Sequence, residues 1–189
     1  MDKKIFIING VATVGKDTFV NLFAECYGAD KVWNYSSVDK VKRIAKEIGW
    51  TGEKTERDRK FLSDLKLLTT DYNDMPFNDI MNKIQEFKNS NAEVLFLHIR
   101  EPEEIFKVVR ECHAYTILVK RDSVKQITSN MADANVYHYI YDITIYNDGT
   151  IEELEKIVQK FVRDIKLNAW FNRAIYDVEE KQRVEIDLD

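Results

Sequence analysis

The residues with the clearest chemical potential lie near the start of the chain, in Gly10-Val-Ala-Thr-Val-Gly15-Lys16-Asp17-Thr18. Two spaced glycines, a lysine and a hydroxyl residue suit one kind of partner, a chain of phosphates. Gly10 and Gly15 permit backbone angles that a residue with a side chain resists, so the N–H groups of this loop, Val14 included, can turn inward around an anion. Lys16 supplies a mobile point charge for the outer phosphates, and a helix starting there adds the positive end of its dipole. Asp17 replaces the usual Ser/Thr after the lysine, and Thr18 follows it. The bland alternative is a strand–turn–helix whose glycines only make the turn. Spacing, lysine and flanking elements together favour a cradle for a nucleoside triphosphate.

Those flanking elements are a continuous apolar run, Ile5 to Ile8, and a helical pattern with Phe19, Val20, Leu22, Phe23 and Cys26 on one side. Gly28 reads as a C-cap, and Lys31 to Tyr35 as a second strand. Ser36-Ser37 opens a helix with Val38, Val41, Ile44, Ala45 and Ile48 on one face, closed by Gly49; its charged face is read as solvated. Thr55 with Asp58 forms a capping box before a stripe of Phe61, Leu62, Leu65, Leu68 and Tyr72. Arg57 and Arg59 sit where either could edge that face with its head in a cleft. Asn73 to Pro76 breaks the helix, and Phe77, Ile80, Met81, Ile84 and Phe87 mark the next one.

Glu93 to Arg100 is a third strand, apolar through its middle and so central. Pro102 begins a helix through Ile105, Phe106, Val108 and Val109. Tyr115 to Val119 and Tyr141 to Tyr146 are the fourth and fifth strands, with a short mobile segment from Ser123 between them. Asn147-Asp-Gly149 turns the chain, and Thr150 with Glu153 caps a last helix with the stripe Ile151, Leu154, Ile157, Val158, Phe161, Val162 and Ile165. Trp170, Phe171, Ile175 and Tyr176 suggest a docked tail before a charged end.

Composition narrows the class. In 189 residues, 44% apolar and 12% aromatic, there is room for one domain with a sizeable core. A net charge of −5 provides no bulk basic field for nucleic acid or anionic membranes. Cys26 and Cys112 lie on apolar helical faces and read as reduced core residues, neither a disulfide nor a metal site. His98, His113 and His138 have no metal-ligand spacing. The core strand begins almost at the N-terminus, and no apolar run reaches membrane-spanning length, so a cytoplasmic protein is expected.

Strands alternating with helices argue for a three-layer α/β domain with a mostly parallel sheet. Ligands of such sheets sit beyond the carboxyl ends of the strands, which gathers Gly10–Thr18, Ser36-Ser37, Arg100 and Arg121 at one edge. At this point the chain resembles a P-loop kinase of the nucleoside monophosphate kinase type, closest to the phage deoxynucleoside monophosphate kinases, where G-K-D-T also closes the loop. His98-Ile-Arg100-Glu101-Pro-Glu-Glu104 is similar to that family's D-x-R-x-x-x-E, and Ile145-Tyr-Asn147-Asp-Gly149-Thr to its N-D-G-T turn.

The resemblance implies a P-loop NTPase fold with a five-stranded parallel sheet in the order 2-3-1-4-5. The kinase domain would span 1–168, with an acceptor-binding insertion at about 37–91, a short lid at about 121–136, and a C-terminal tail at 169–189. It implies ATP and Mg2+ as cofactors. Gly10, Val14, Gly15, Lys16, Asp17 and Thr18 would hold the donor phosphates, with Asp17 and Thr18 toward the metal. Ser37, Arg57 or Arg59, and Arg100 would hold the acceptor, Arg121 would stabilise the moving phosphoryl group, and Asn147 and Gly149 would lie against the adenine. Lys16, Arg100 and Arg121 are the catalytic candidates.

One departure stands out. Where the family has an acid able to organise magnesium waters, this chain has His98, and a neutral imidazole cannot supply that charge. Asp17, Asp39, Glu101 or Glu104 would have to supply it instead. The expected activity is phosphoryl transfer from ATP to a small phosphorylated acceptor, a (deoxy)nucleoside monophosphate, by a monomer or homodimer whose partners are small nucleotides rather than nucleic acid or membrane. The alternatives are a kinase of a non-nucleotide metabolite, and a nucleotide-binding protein of weak catalysis. The sequence shows no second acidic strand end and no N-K-x-D run, which argues against a motor or a GTPase.

Overall fold

A computed structural model describes residues 3–124, 135–167 and 174–176. Its strands are β1 (Lys4–Asn9), β2 (Val32–Ser36), β3 (Val94–His98), β4 (Tyr115–Lys120), β5 (Ile143–Tyr146) and β6 (Ala174–Tyr176). They form one sheet in the order β2-β3-β1-β4-β5-β6, every neighbouring pair parallel. The first five follow the expected order. The sixth is an addition: three residues of the expected tail pair with β5, Ile143 opposite Ala174.

The helices are α1 (Lys16–Tyr27), α2 (Asp39–Glu47), α3 (Glu56–Asn73), α4 (Met75–Lys88), α5 (Pro102–Cys112) and α6 (Ile151–Lys166). Alternation along the strands assigns them to faces. Phe6 and Phe96, adjacent in register, meet Phe19 and Phe23 of α1 and Phe161 of α6, with ring centroids between 5.0 and 6.3 Å apart. The next register pair, Trp33 and Leu95, points to the other face, where Trp33 meets Phe87 of α4 at 6.0 Å. Helix α5 packs beside α4, and α1 beside α6. This is the three-layer α/β/α arrangement, with β1 and β3 buried on both faces.

Several helix ends follow from local chemistry. Thr55 and Asp58 cap α3 reciprocally, as do Thr150 and Glu153 on α6. Pro102 occupies the first turn of α5, where a missing N–H is harmless.

Other expectations are corrected. Helix α2 begins at Asp39, without a side-chain cap from Ser36 or Ser37, and Ile48 is exposed beyond its end. Cys26 is exposed and Cys112 half-buried, so neither thiol is a core residue. None of the eighteen residues of α3 is buried, and Leu68 and Tyr72 of its stripe are 66% and 84% exposed. Phe106 is likewise exposed on α5. The segment expected to be mobile includes buried Val136 and Tyr141, whose hydroxyl donates to the Val136 carbonyl. Residues 125–134 of the expected lid, and Trp170, Phe171 and 177–189 of the expected tail, lie outside the described residues.

Candidate functional site

The site is built where β1 ends. Its backbone takes positive φ at Gly10 (147°), Thr13 (68°) and Gly15 (96°), and α1 starts immediately afterwards. Two of these positions require glycine. A Cβ on Gly10 would run into the Val119 carbonyl oxygen of β4, and one on Gly15 into the side-chain amide of Asn147. Asn147 is buried and donates to the Val14 carbonyl over 2.8 Å, so the turn after β5 braces the loop from behind. Asn9 braces its start. The Asn9 side chain accepts from the Gly10 amide and donates to the Tyr141 hydroxyl (2.8 Å) and to the Arg100 carbonyl (3.2 Å). Lys16 folds its ammonium into the loop, donating to the carbonyls of Gly10 (2.7 Å) and Val11 (2.9 Å). A curled loop with its lysine inside, at a helix N-terminus, is the geometry that holds a row of phosphate oxygens.

Asp17 and Thr18 are exposed on the first turn of α1, the Asp17 side chain 88% so. His98 closes β3, opposite Ile8 of β1 and Ser36 of β2. Its Nδ1 is 3.8 Å from the Asp17 carboxylate, and its Nε2 is buried with no hydrogen-bond partner. Burial holds the imidazole below its ordinary pKa; nearby Asp17 and Asp39 oppose that, and Lys16 and Arg100 reinforce it. His98 is therefore a neutral ring beside the loop that ends at Lys16 and Asp17.

Of the four carboxylates that could replace the missing acid, three are engaged. Asp39 accepts from the Ser36 amide at 2.9 Å and sits 3.6 Å from Lys42. Glu101 and Glu104 take Lys66 of α3, at 2.6 and 2.8 Å. Asp17 remains, exposed on the first turn of α1. Its hard oxygen suits Mg2+, which is commonly held by one or two protein oxygens together with substrate phosphates and water. Among the described residues no three His, Cys, Asp or Glu converge on a metal position, so such an ion would depend on the phosphates.

Lys66 is the residue that sequence reasoning missed. Its ammonium reaches Ser37 Oγ (3.4 Å) as well as the two glutamates, and its side chain is only 13% exposed. Burial alone would lower its pKa, yet Glu104 and Glu101 hold it above the ordinary value. Burial pushes Glu104 up to about 7, while Glu101, closer to solvent, is held below the usual range by Lys66 despite partial burial. The available signal was a single lysine between Leu65 and Leu67, which helical periodicity alone does not distinguish from a solvated charge.

The other expected residues divide. Ser37 is buried, its amide donating to the His98 carbonyl. Arg100 is half-buried at the end of β3, and Arg121 half-buried just after β4. Gly149 faces the Glu153 carboxylate, which closes the α6 cap. Arg57 and Arg59 are exposed. Helix geometry separates them: Arg59 lies seven residues before Lys66, about two turns away and within about 20° of the same face, whereas Arg57 is about 200° around the axis from Arg59.

No protein-family model and no curated protein matches the sequence. Among solved structures, the chain is similar to the shikimate kinase of Aquifex aeolicus (12% identity, 87% of this chain and 98% of that one, TM-score 0.48). It is similar too to the APS kinase of Mycobacterium tuberculosis (12%, 86% and 98%, TM-score 0.41) and the thymidylate kinase of Ehrlichia chaffeensis (14%, 93% and 93%, TM-score 0.35). Identities and TM-scores this low leave the chemistry to be argued from the residues. The strand order, the layers and the loop between β1 and α1 are those of the P-loop NTPase fold.

Proposed function

We propose that the protein transfers the γ-phosphoryl group of ATP to a small phosphorylated acceptor, with a (deoxy)nucleoside monophosphate as the first choice. The observation that carries this reading is the loop at Gly10–Thr18, closed around the Lys16 ammonium at the N-terminus of α1. An acceptor phosphate oxygen attacks the γ-phosphorus, the bond to the β–γ bridging oxygen breaks, and ADP leaves with that electron pair. A phosphate acceptor is already a nucleophile, so the protein's task is positioning and charge neutralisation.

In this reading Lys16 leaves the Gly10 and Val11 carbonyls to meet the outer phosphates, and the loop amides from Val14 through Thr18 hold their oxygens. Arg100 takes the acceptor phosphate from the end of β3, with Arg59 facing it from α3. Arg121 neutralises charge on the group in flight. Asp17 and Thr18 would hold Mg2+, which would offset the charge of the donor phosphates. Asn147 holds the loop in shape.

The test is a steady-state assay with ATP, Mg2+ and a panel of nucleoside monophosphates. At least one acceptor should turn over, and Lys16→Ala should lose 100-fold or more in kcat. Undiminished turnover in that variant would sink the mechanism.

The neutral His98, with its unpartnered Nε2, favours a second reading: a nucleotide-binding protein of weak catalysis. His98→Asp would then gain phosphoryl transfer over the wild type. Strong wild-type activity disposes of this reading.

A further inference from the structure

Helix α3 is eighteen residues long and has none buried, so apolar packing alone does not fix its position. Its polar attachment is concentrated at Lys66. That ammonium has three N–H donors and three oxygens around it, Glu101 Oε2 at 2.6 Å, Glu104 Oε2 at 2.8 Å and Ser37 Oγ at 3.4 Å. The oxygens belong to two other parts of the site: Ser37 follows β2, and both glutamates stand at the start of α5, directly after Arg100. Arg59 is on the same face of α3, about 10 Å along the axis.

We propose that Lys66 is a positioning residue for the acceptor side: its buried three-way contact docks α3 on the carboxyl edge of the sheet and so sets Arg59 opposite Arg100. The inference rests on the kinase reading for the identity of the ligand, but the docking itself does not. With all three donors engaged, Lys66 works through what it holds, and the free guanidinium of Arg59 is left for the acceptor. A long amphipathic helix whose polar attachment is concentrated at one lysine, paired with Glu101 and Glu104, is also easily displaced. An acceptor that bridges Arg59 and Arg100 therefore stabilises the docked position.

The full-length protein tests this with three variants, Lys66→Met, Lys66→Arg and Glu101→Gln. Glu101 is the more exposed partner, and its replacement weakens the contact without stranding a buried charge, so that variant stays informative where Lys66→Met fails to fold. Hydrogen exchange across residues 56–73 should speed up at least 10-fold in Lys66→Met and less in Glu101→Gln, with β1 and β3 unchanged. Lys66→Arg should restore part of the protection. For the monophosphate best used by the wild type, KM should rise at least 10-fold in Lys66→Met while KM for ATP stays within twofold. Unchanged exchange over 56–73 overturns the proposal, as does an equal rise in both KM values. A wild type that uses no monophosphate defeats the kinase reading alone, because the exchange result stands without a substrate.

Discussion

The side-chain amide of Asn147 donates to the carbonyl oxygen of Val14 over 2.8 Å, joining residues 133 apart in sequence. It occupies the space a Cβ on Gly15 would need. The Gly10–Thr18 loop is therefore shaped from two directions, by its own glycines and by a buried amide from the turn after β5. A role for Asn147 in nucleotide binding then passes through loop geometry, whatever else its backbone meets.

Asn147→Ala should cost stability and affinity together. Removing the donor leaves the Val14 carbonyl buried and unpaired, a penalty of about 1–3 kcal/mol that urea unfolding would read. The diagnostic measurement is the rise in thermal midpoint produced by ATP, since a ligand stabilises the fold it binds. That rise should shrink in the variant. Equal rises in variant and wild type would mean that the loop keeps its shape unaided.

Gly15→Ala should be more selective for binding. At φ 96° a residue with a Cβ is strained, by about 1–2 kcal/mol, and here the Cβ also meets the Asn147 amide. The rings of Phe6, Phe96 and Phe161, packed on one another with centroids 5.5 and 5.6 Å apart, are not among the atoms such a Cβ would meet. Circular dichroism should show a folded protein, and calorimetric titration should show ATP affinity reduced at least 10-fold.

The Lys66 cluster predicts a pH dependence. Burial raises Glu104 from 4.5 to about 7 in the folded protein. An acid with a raised folded pKa contributes stability fully below its unfolded value and loses it as pH climbs through the folded one. Unfolding free energy of the wild type relative to Glu104→Gln should accordingly fall between about pH 4.5 and 7 and level off above, by on the order of 1–3 kcal/mol. Glu101, held low beside it, is common to both proteins and titrates below that window. Urea titrations of both proteins across that range provide the curve, and a flat difference would contradict the burial of Glu104.

What the sequence made legible follows from how local each signal is. The loop needed only glycine spacing and a lysine, and the buried strands showed as unbroken apolar runs because both faces are covered. The capping boxes at Thr55 and Thr150 are likewise contained within four residues. Stripe reading failed on α3, where Leu68 and Tyr72 have helical spacing but no neighbour to bury them, since periodicity states which residues share a face and not what covers it. Lys66 was invisible for the converse reason. Its partners Ser37, Glu101 and Glu104 are 29, 35 and 38 residues away, and only the sheet order brings them to one edge. Asn147 stood in a motif, but its partner Val14 did not announce itself.

His98 provides the test with the opposite sign from Glu104. Its folded pKa is depressed below 6.5, first by burial, with Lys16 and Arg100 adding to it. A base whose folded pKa is lowered contributes stability that is present above its unfolded value and lost as pH falls through the folded one. Replacing it with a neutral amide removes that loss. Between pH 7 and 5 the wild type should therefore lose stability relative to His98→Gln, where it gains relative to Glu104→Gln over the same interval. Charge at Lys16 and Arg100 makes the imidazolium unwelcome, and phosphates bound at the loop would screen both cations. Saturating ATP should accordingly raise the His98 pKa and shrink the difference, which can be read from the imidazole proton shifts in a pH titration by NMR. A His98 titration that ATP leaves unmoved would separate this ring from the phosphate site.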